Sequence, residues 1–445
     1  MRKPIASASL HAAVWRWHFI AGLLVMPFLC VLAITGGLYL FKDELESLIY
    51  ASVDSVAPAG REPLPLGRLV ASAEGFTGGR VVQVLVPEDA GRAVRMTVHT
   101  PDAAHTAFID PYEGKVLAVM RFGGAMQVVR KLHSLQYFGP KASWLMEIAA
   151  GWAIVLAASG AYLWWPRGAK GGVVSVRGRP AQRIFWRDLH AVTGAFAGGV
   201  IVFLAVTGMP WSDVWGGKVQ ELSTTRDLGR PSPPAEVVPE WELETVVPGA
   251  EKASGLPWAM EKADAPASSG RAGQETISIE QAIASLGRAG LRRPFSLTLP
   301  HGARGAYVAT YAPARVEDTR VVYVDQYSAA ILDDVGYARF GPAAKAIEWG
   351  IAVHQGQQYG SVNRYVMLAG CVAIVLLAIT SFTMWWKRRP AGSLGVPPRP
   401  AEPGATRVLA AIILPFAILY PLVGASLLAA FTLERLWMLA MRRPG

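Results

Sequence analysis

The sequence predicts a membrane protein: a helical bundle of about five transmembrane helices, internally duplicated, carrying two small α+β modules outside the lipid. Three observations predict it. Five stretches are apolar over the length needed to cross a hydrocarbon core of ~30 Å, which takes about 20 residues. The short connections between them are basic while the long ones hold more acids than bases. Two spans and two outer segments recur later in the sequence at constant offsets.

Composition agrees with this class. Of 445 residues, 52% are hydrophobic and 17% charged, and the mean hydropathy is +0.29, on the membrane side of ordinary globular proteins. The five expected spans are Phe19 to Phe41, Trp144 to Trp165, Ala191 to Trp211, Tyr365 to Trp386 and Val408 to Leu433. Only the second contains an ionisable carboxylate or cation, Glu147, in its first turn. The first is too long for the apolar region of a cleaved signal peptide and is followed by "KDELE" rather than a small-residue cleavage site, so it reads as a retained anchor.

The net charge of +10 does not point to nucleic acid, because of where the charge lies. Loop 166–188 holds six basic residues against Asp188, loop 387–407 holds five against Glu402, and residues 1–18 hold Arg2, Lys3 and Arg16 without an acid. By the positive-inside rule these segments are cytoplasmic and the long connections lie on the other side. The protein then divides into span one (1–42), a first outer module (43–130), spans two and three with loop 166–188 (131–212), and a second outer module (213–352). Span four (353–386), loop 387–407, and span five with a C-terminal interfacial segment (408–445) follow. Residues 228–275 are rich in Pro, Gly, Ser, Ala and Glu without periodicity and read as a mobile insertion. The two cysteines, Cys30 and Cys371, both fall in spans, so no disulfide framework and no C-x-x-C-H haem attachment is present.

The outer segments alternate in the manner of strands. "AFIDPYEGKVLAV" (107–119) aligns with "VYVDQYSAAILDD" (322–334) at an offset of 215, keeping Asp110/Asp325 and Tyr112/Tyr327. Each reads as strand, tight turn, strand. Further strands are expected at 81–86, 93–99, 295–299, 305–311 and 320–324. Helices are expected at 64–75 and 278–289, the latter opened by a Ser278/Gln281 capping box.

The membrane repeat carries the candidate chemistry. "HFIAG" and "HAVTG" share an offset of 172 with Leu32-Ala33-x-Thr35-Gly36 and Leu204-Ala205-x-Thr207-Gly208, placing His18 on His190 and Gly22 on Gly194. An offset of 221 places His133 on His354, Trp164-Trp165 on Trp385-Trp386, and Arg167 on Arg388. Topology then sorts the imidazoles into an inner pair, His18 and His190, and an outer pair, His133 and His354. A lone interfacial histidine is ordinarily a headgroup or helix–helix contact. Four in two matched pairs suit axial ligation of two b-type haems, one near each membrane face, because a porphyrin supplies four nitrogens and asks the protein for two. Zinc would need further ligands, and no Cys, Asp or Glu accompanies the histidines at helical spacing. Gly22 and Gly194, four residues past each inner histidine, leave room for a flat macrocycle. Arg16 and Arg187 are placed to neutralise propionates at the inner face, with Arg130 and Lys131 as outer counterparts; for any single one of these cations, headgroup anchoring is the simpler reading. His11 is a spare ligand candidate, while His99, His105 and His301 have no repeat partner. The Trp pairs read as an interfacial belt, and Trp211 and Trp215 as belt or substrate-facing residues.

"WRWHFIAGLLVMPFLCVLAITGGLYLF", "RDLHAVTGAFAGGVIVFLAVTGMPW" and "HQGQQYGSVNRYVMLAGCVAIVLLAITSFTMWWKRRP" resemble the PepSY-associated, iron-regulated inner-membrane proteins, the PiuB/FoxB group. The resemblance covers essentially the whole sequence. It implies a bacterial inner-membrane protein with two PepSY-like periplasmic modules, similar in some members to ferric-siderophore reductases that bind two b haems, with His18, His190, His133 and His354 as ligands. Ala329 departs from it, standing where the turn usually has glycine. The leading expectation is therefore an electron conduit reducing a ferric siderophore or other Fe(III) chelate in the periplasm, fed by a cytoplasmic or quinol donor. The rival is a non-redox, membrane-anchored PepSY protein that restrains a peptidase or holds a ligand. A permease is weaker, because no span interior carries charge or a broken helix.

Overall fold

Apolar runs with no polar relief become long helices, since a backbone in lipid must satisfy its own hydrogen bonds. The computed structural model describes residues 5–441 apart from 59, 167–171, 226–227, 230–236, 239–255, 262–264, 271–272, 394, 399–413 and 415. Four described helices contain stretches long and apolar enough to cross a membrane: α1 (Ile5–Tyr39), α4 (Ser143–Trp164), α5 (Arg183–Gly208) and α9 (Gly360–Arg388). Helices α1 and α5 each pack against both α4 and α9, so α1 and α5 stand on one diagonal of the arrangement. The fifth expected span begins outside the described residues. Its described part, α10 (Pro421–Met441), packs Val423 and Leu427 against Ala149 and Trp152 of α4 and Ala21 and Val25 of α1.

The outer segments form α2 (Leu66–Thr77), β1 (Arg80–Val86), β2 (Val94–His99), β3 (Ala104–Ile109), β4 (Val116–Arg121) and α3 (Gly124–His133) in the first half. The short helix α6 (Trp215–Thr225) leads into the second half, which holds α7 (Ile279–Arg288), β5 (Phe295–Thr298), β6 (Ala306–Tyr311), β7 (Arg320–Asp325), β8 (Ile331–Gly336) and α8 (Pro342–His354). The expected capping box is present: Gln281 N–H donates to Ser278 Oγ at 3.2 Å and Ser278 N–H to Gln281 Oε1 at 2.8 Å.

Two separate modules were expected; the eight strands instead form one antiparallel sheet in the order β8-β7-β6-β5-β1-β2-β3-β4. Each half is a four-stranded meander whose first strand would be an open edge. Pairing β1 with β5, Val84 opposite Leu297, removes both edges at once. One core runs across the seam, joining Leu69 and Ala73 of α2, Leu286 of α7, and Val84, Val98, Leu297 and Val322 from the strands. Burying a large aliphatic residue of this kind contributes roughly 1.5–3 kcal/mol, so neither half is complete alone. The divisions drawn at 130/131 and 352/353 also fall inside helices, α3 and α8.

The repeated turns are built alike. Asp110 accepts from the Tyr112 and Glu113 N–H groups, and Asp325 from those of Tyr327 and Ser328. Tyr112 donates to Ala90 O and Tyr327 to Ala303 O. Burial pushes the Asp325 carboxyl up, but hydrogen bonds from Ser269, Ser328 and Tyr327 outweigh it and hold it at about 2. Gly114 takes φ +68° and its counterpart Ala329 φ +60°, so the alanine occupies the left-handed position that a glycine fills in the first copy.

The mobile insertion expected at 228–275 is corrected in its described part. Trp258, Ala259 and Met260 are buried against Val321, Tyr323 and Phe340, and Trp258 Nε1 donates to Pro210 O at 2.9 Å. Local composition hid an apolar plug whose partners lie far away in sequence.

Candidate functional site

The four repeated histidines meet in two places, one at the end of the helices near the sheet and one at the far end. At the sheet-distal end His18 of α1 and His190 of α5 face each other, ring centres 6.4 Å apart and planes at 85°. Both sit inside their helices rather than at the ends expected for them, because α1 begins at Ile5 and α5 at Arg183. His18 Nδ1 lies 2.8 Å from Ser159 Oγ on α4, and His190 Nδ1 lies 2.9 Å from Thr380 Oγ1 on α9.

Near the sheet, His133 and His354 are the last residues of the short helices α3 and α8. His133 Nδ1 is 2.9 Å from Thr35 Oγ1 on α1, and His354 Nδ1 is 2.9 Å from Thr207 Oγ1 on α5. Trp211 packs edge-on against His354 at 6.3 Å. Just past the end of α5, Met209 is buried and Trp211 half-exposed. Upstream in α8, Glu348 accepts from the Ala259 N–H at 2.8 Å. Burial raises its carboxyl to about 7 in spite of that bond, helped by the neighbouring charge of Glu261.

A cavity of about 1140 Å³ surrounds the sheet-distal pair, lined by His18, His190, Gly22, Gly194 and apolar side chains of all four long helices. That is at or above the upper end of ordinary ligand sites, about 300–1,000 Å³. Gly22 and Gly194 both line the cavity; a Cβ on Gly22 would lie 3.9 Å from Leu156 and one on Gly194 3.7 Å from Leu377, in ordinary contact. Three other glycines lie directly against the rings. A Cβ on Gly160, Gly36 or Gly208 would lie 3.4, 3.3 or 3.5 Å from Cε1 of His18, His133 or His354 respectively.

The cations differ from expectation. Arg16 donates to Pro397 O and is not among the cavity-lining residues. Arg187 does line the cavity, but it pairs with buried Asp188 at 2.6 Å, which Arg177 also engages at 2.8 Å. Three cavity-lining cations among the described residues were missed: Arg177, which pairs with Asp188, and Arg183 and Arg388. Arg183 lies one turn before Arg187, and Arg388 was visible as a repeat position, its guanidinium resting on Phe19 at 4.7 Å and Trp15 at 5.0 Å. Arg130 and Lys131 occupy the last turn of α3 beside His133. His11 lines the cavity with its ring 6.3 Å from Tyr162, whereas His99, His105 and His301 belong to the sheet region.

The sheet-distal pair offers two imidazole nitrogens to one ion. Two metal–nitrogen bonds of about 2 Å, with roughly 1 Å from nitrogen to ring centre on either side, span about 6 Å, near the observed sheet-distal separation. Among the described residues no three His, Cys, Asp or Glu residues converge, so the donor set does not suit a closed tetrahedral zinc site. It suits a group that brings equatorial donors of its own.

An antiparallel α+β sheet set on long apolar helices with paired imidazoles defines a membrane protein with a sizeable extramembrane part. The chain belongs to the PepSY-associated TM region family, whose sequence model matches residues 15–388. No curated protein matches it.

Proposed function

We propose that this protein is a transmembrane electron conduit, a haem b-dependent ferric-siderophore reductase of the PiuB/FoxB type. It would sit in a bacterial inner membrane with its N-terminus cytoplasmic and its sheet periplasmic. The observation that carries this reading is the occurrence of two imidazole pairs, one toward either end of the long helices, each ring tied at Nδ1 to a hydroxyl of a neighbouring helix. Bound between such a pair, a b-type haem supplies a reversible one-electron couple at iron.

The protein's own residues do the rest. His18 with His190, and His133 with His354, would hold the two haems. Apolar walls from the long helices exclude water and keep the dielectric low, which with the ligands sets the potential. Arg183 and Arg388 at the cavity offer cations to carboxylates. His18 and Thr35 share α1, so about 25 Å of helical rise separates the two sites, and neither alone reaches both faces of a ~30 Å slab. A cytoplasmic or quinol donor supplies the electron, and one Fe(III) of a chelate on the sheet side becomes Fe(II), which oxygen ligands hold less tightly.

The test is spectroscopic and then kinetic. Dithionite-reduced purified protein is expected to show the sharp α-band of six-coordinate b haem at two haems per polypeptide. A panel of ferric chelates in stopped flow is expected to reoxidise it faster than buffer does. A colourless protein sinks the reading in favour of a non-redox PepSY protein; a haem protein indifferent to every chelate sinks the reductase assignment alone.

A further inference from the structure

All four histidines are held by the same device. Each Nδ1 faces a hydroxyl on a neighbouring helix, and each hydroxyl donates its single hydrogen to the backbone carbonyl one turn earlier. Ser159 donates to Val155 O at 2.7 Å, Thr380 to Leu376 O at 2.9 Å, Thr35 to Val31 O at 2.5 Å and Thr207 to Phe203 O at 2.6 Å. With that hydrogen spent, the oxygen has only lone pairs left, and the imidazole must donate from Nδ1. The resulting relay, from imidazole N–H to hydroxyl to backbone carbonyl, polarises along its length. The backbone of Leu32, Leu377 and Leu204, beside the hydroxyls on the same helices, also hydrogen-bonds to His133, His190 and His354.

We infer that Ser159, Thr380, Thr35 and Thr207 are positioning residues that fix the tautomer of the four histidines, keeping each Nε2 unprotonated and more basic toward a bound iron. This deepens the di-haem reading and rests on it. The hydroxyls also brace the two sites through shared helices. Helix α1 carries ligand His18 at one site and hydroxyl Thr35 at the other, and α5 does the same with His190 and Thr207. Gly350 of α8, where a Cβ would lie 3.0 Å from the Thr207 methyl group, lets the helix that ends in His354 pack closely on that threonine. An accepting oxygen at Nδ1 makes the ligand a stronger donor and favours ferric iron, so its loss raises the potential of that site only.

The experiment uses the full-length protein purified with its haem. Redox titration and haem transfer to apomyoglobin are compared for wild type, Thr35→Val, Thr35→Ser and Ser159→Ala. In Thr35→Val one of the two haems is expected to show about a threefold higher ferrous-to-ferric ratio at a fixed ambient potential. The same haem should be lost about 10-fold more readily. Thr35→Ser should restore both, and Ser159→Ala, which deletes one oxygen, should move the other haem. Two haems in every variant with unchanged potentials and transfer rates would overturn the inference while leaving the di-haem reading intact. Wild-type protein without haem would overturn both.

Discussion

His18 and His190 approach from opposite corners of the helical arrangement, yet their rings do not touch; 6.4 Å separates the centres and the planes are near perpendicular. Each ring is held from behind by a hydroxyl, so the gap between them is built rather than left over. That geometry separates His18 from His11, which lines the same cavity without a repeat partner. His18→Ala is expected to halve the haem content per polypeptide, and His11→Ala to leave it unchanged. Pyridine haemochrome assay of the purified variants decides between them.

The cavity cations lead to a second contrast. Replacing Arg183 or Arg388 with Gln removes a charge facing the cavity, and haem loss to an acceptor protein should accelerate about 10-fold, the equivalent of one charge-assisted hydrogen bond. Arg16→Gln should have no such effect, because Arg16 does not line the cavity. Equal behaviour of all three variants would place the carboxylates elsewhere.

Ala329 and Gly114 test the duplication at the level of the backbone. A left-handed conformation costs a non-glycine residue about 1–2 kcal/mol, part of which glycine returns through the entropy of the unfolded state. Ala329→Gly should stabilise the sheet by about 0.5–1 kcal/mol and Gly114→Ala should destabilise it by about 1 kcal/mol. Thermal unfolding of the two variants in detergent would move in opposite directions.

Stability should also carry a pH signature from Glu348. Its carboxyl is raised to about 7 by burial, against an ordinary value of 4.5. The folded state therefore holds a proton that the unfolded state releases, and the stabilisation present below about pH 4.5 is lost as pH rises through about 7. The loss is on the order of 3 kcal/mol at most. Asp325, held at about 2, works in the other sense: its contribution is present above the ordinary carboxylate value and is lost as pH falls through about 2. Denaturation midpoints of Glu348→Gln between pH 5 and 8 should be flatter than those of the parent.

The described part of the 228–275 segment is testable by truncation of one side chain. Trp258 is 4% exposed and bonded to Pro210. Trp258→Ala should cost about 3–5 kcal/mol, as for other buried aromatic residues. A change below about 0.5 kcal/mol would return the segment to a surface tether.

What could be read from the sequence alone was whatever recurs or is periodic. The long apolar runs, the strand and helix positions, the Ser278 cap, the Asp110 and Asp325 turns and the four histidines all rest on local pattern or on an offset between copies. Even Ser159 and Thr380 were within reach, since the offset that maps His133 onto His354 maps one onto the other. Only the tertiary structure decided that the two halves close on each other through β1 and β5, that Trp258 plugs a distant core, that Arg183 and Arg388 rather than Arg16 face the cavity, and which hydroxyl meets which imidazole. Those are contacts between segments far apart in sequence. They depend on the packing angle and rotation of whole helices and strands, which no local preference encodes.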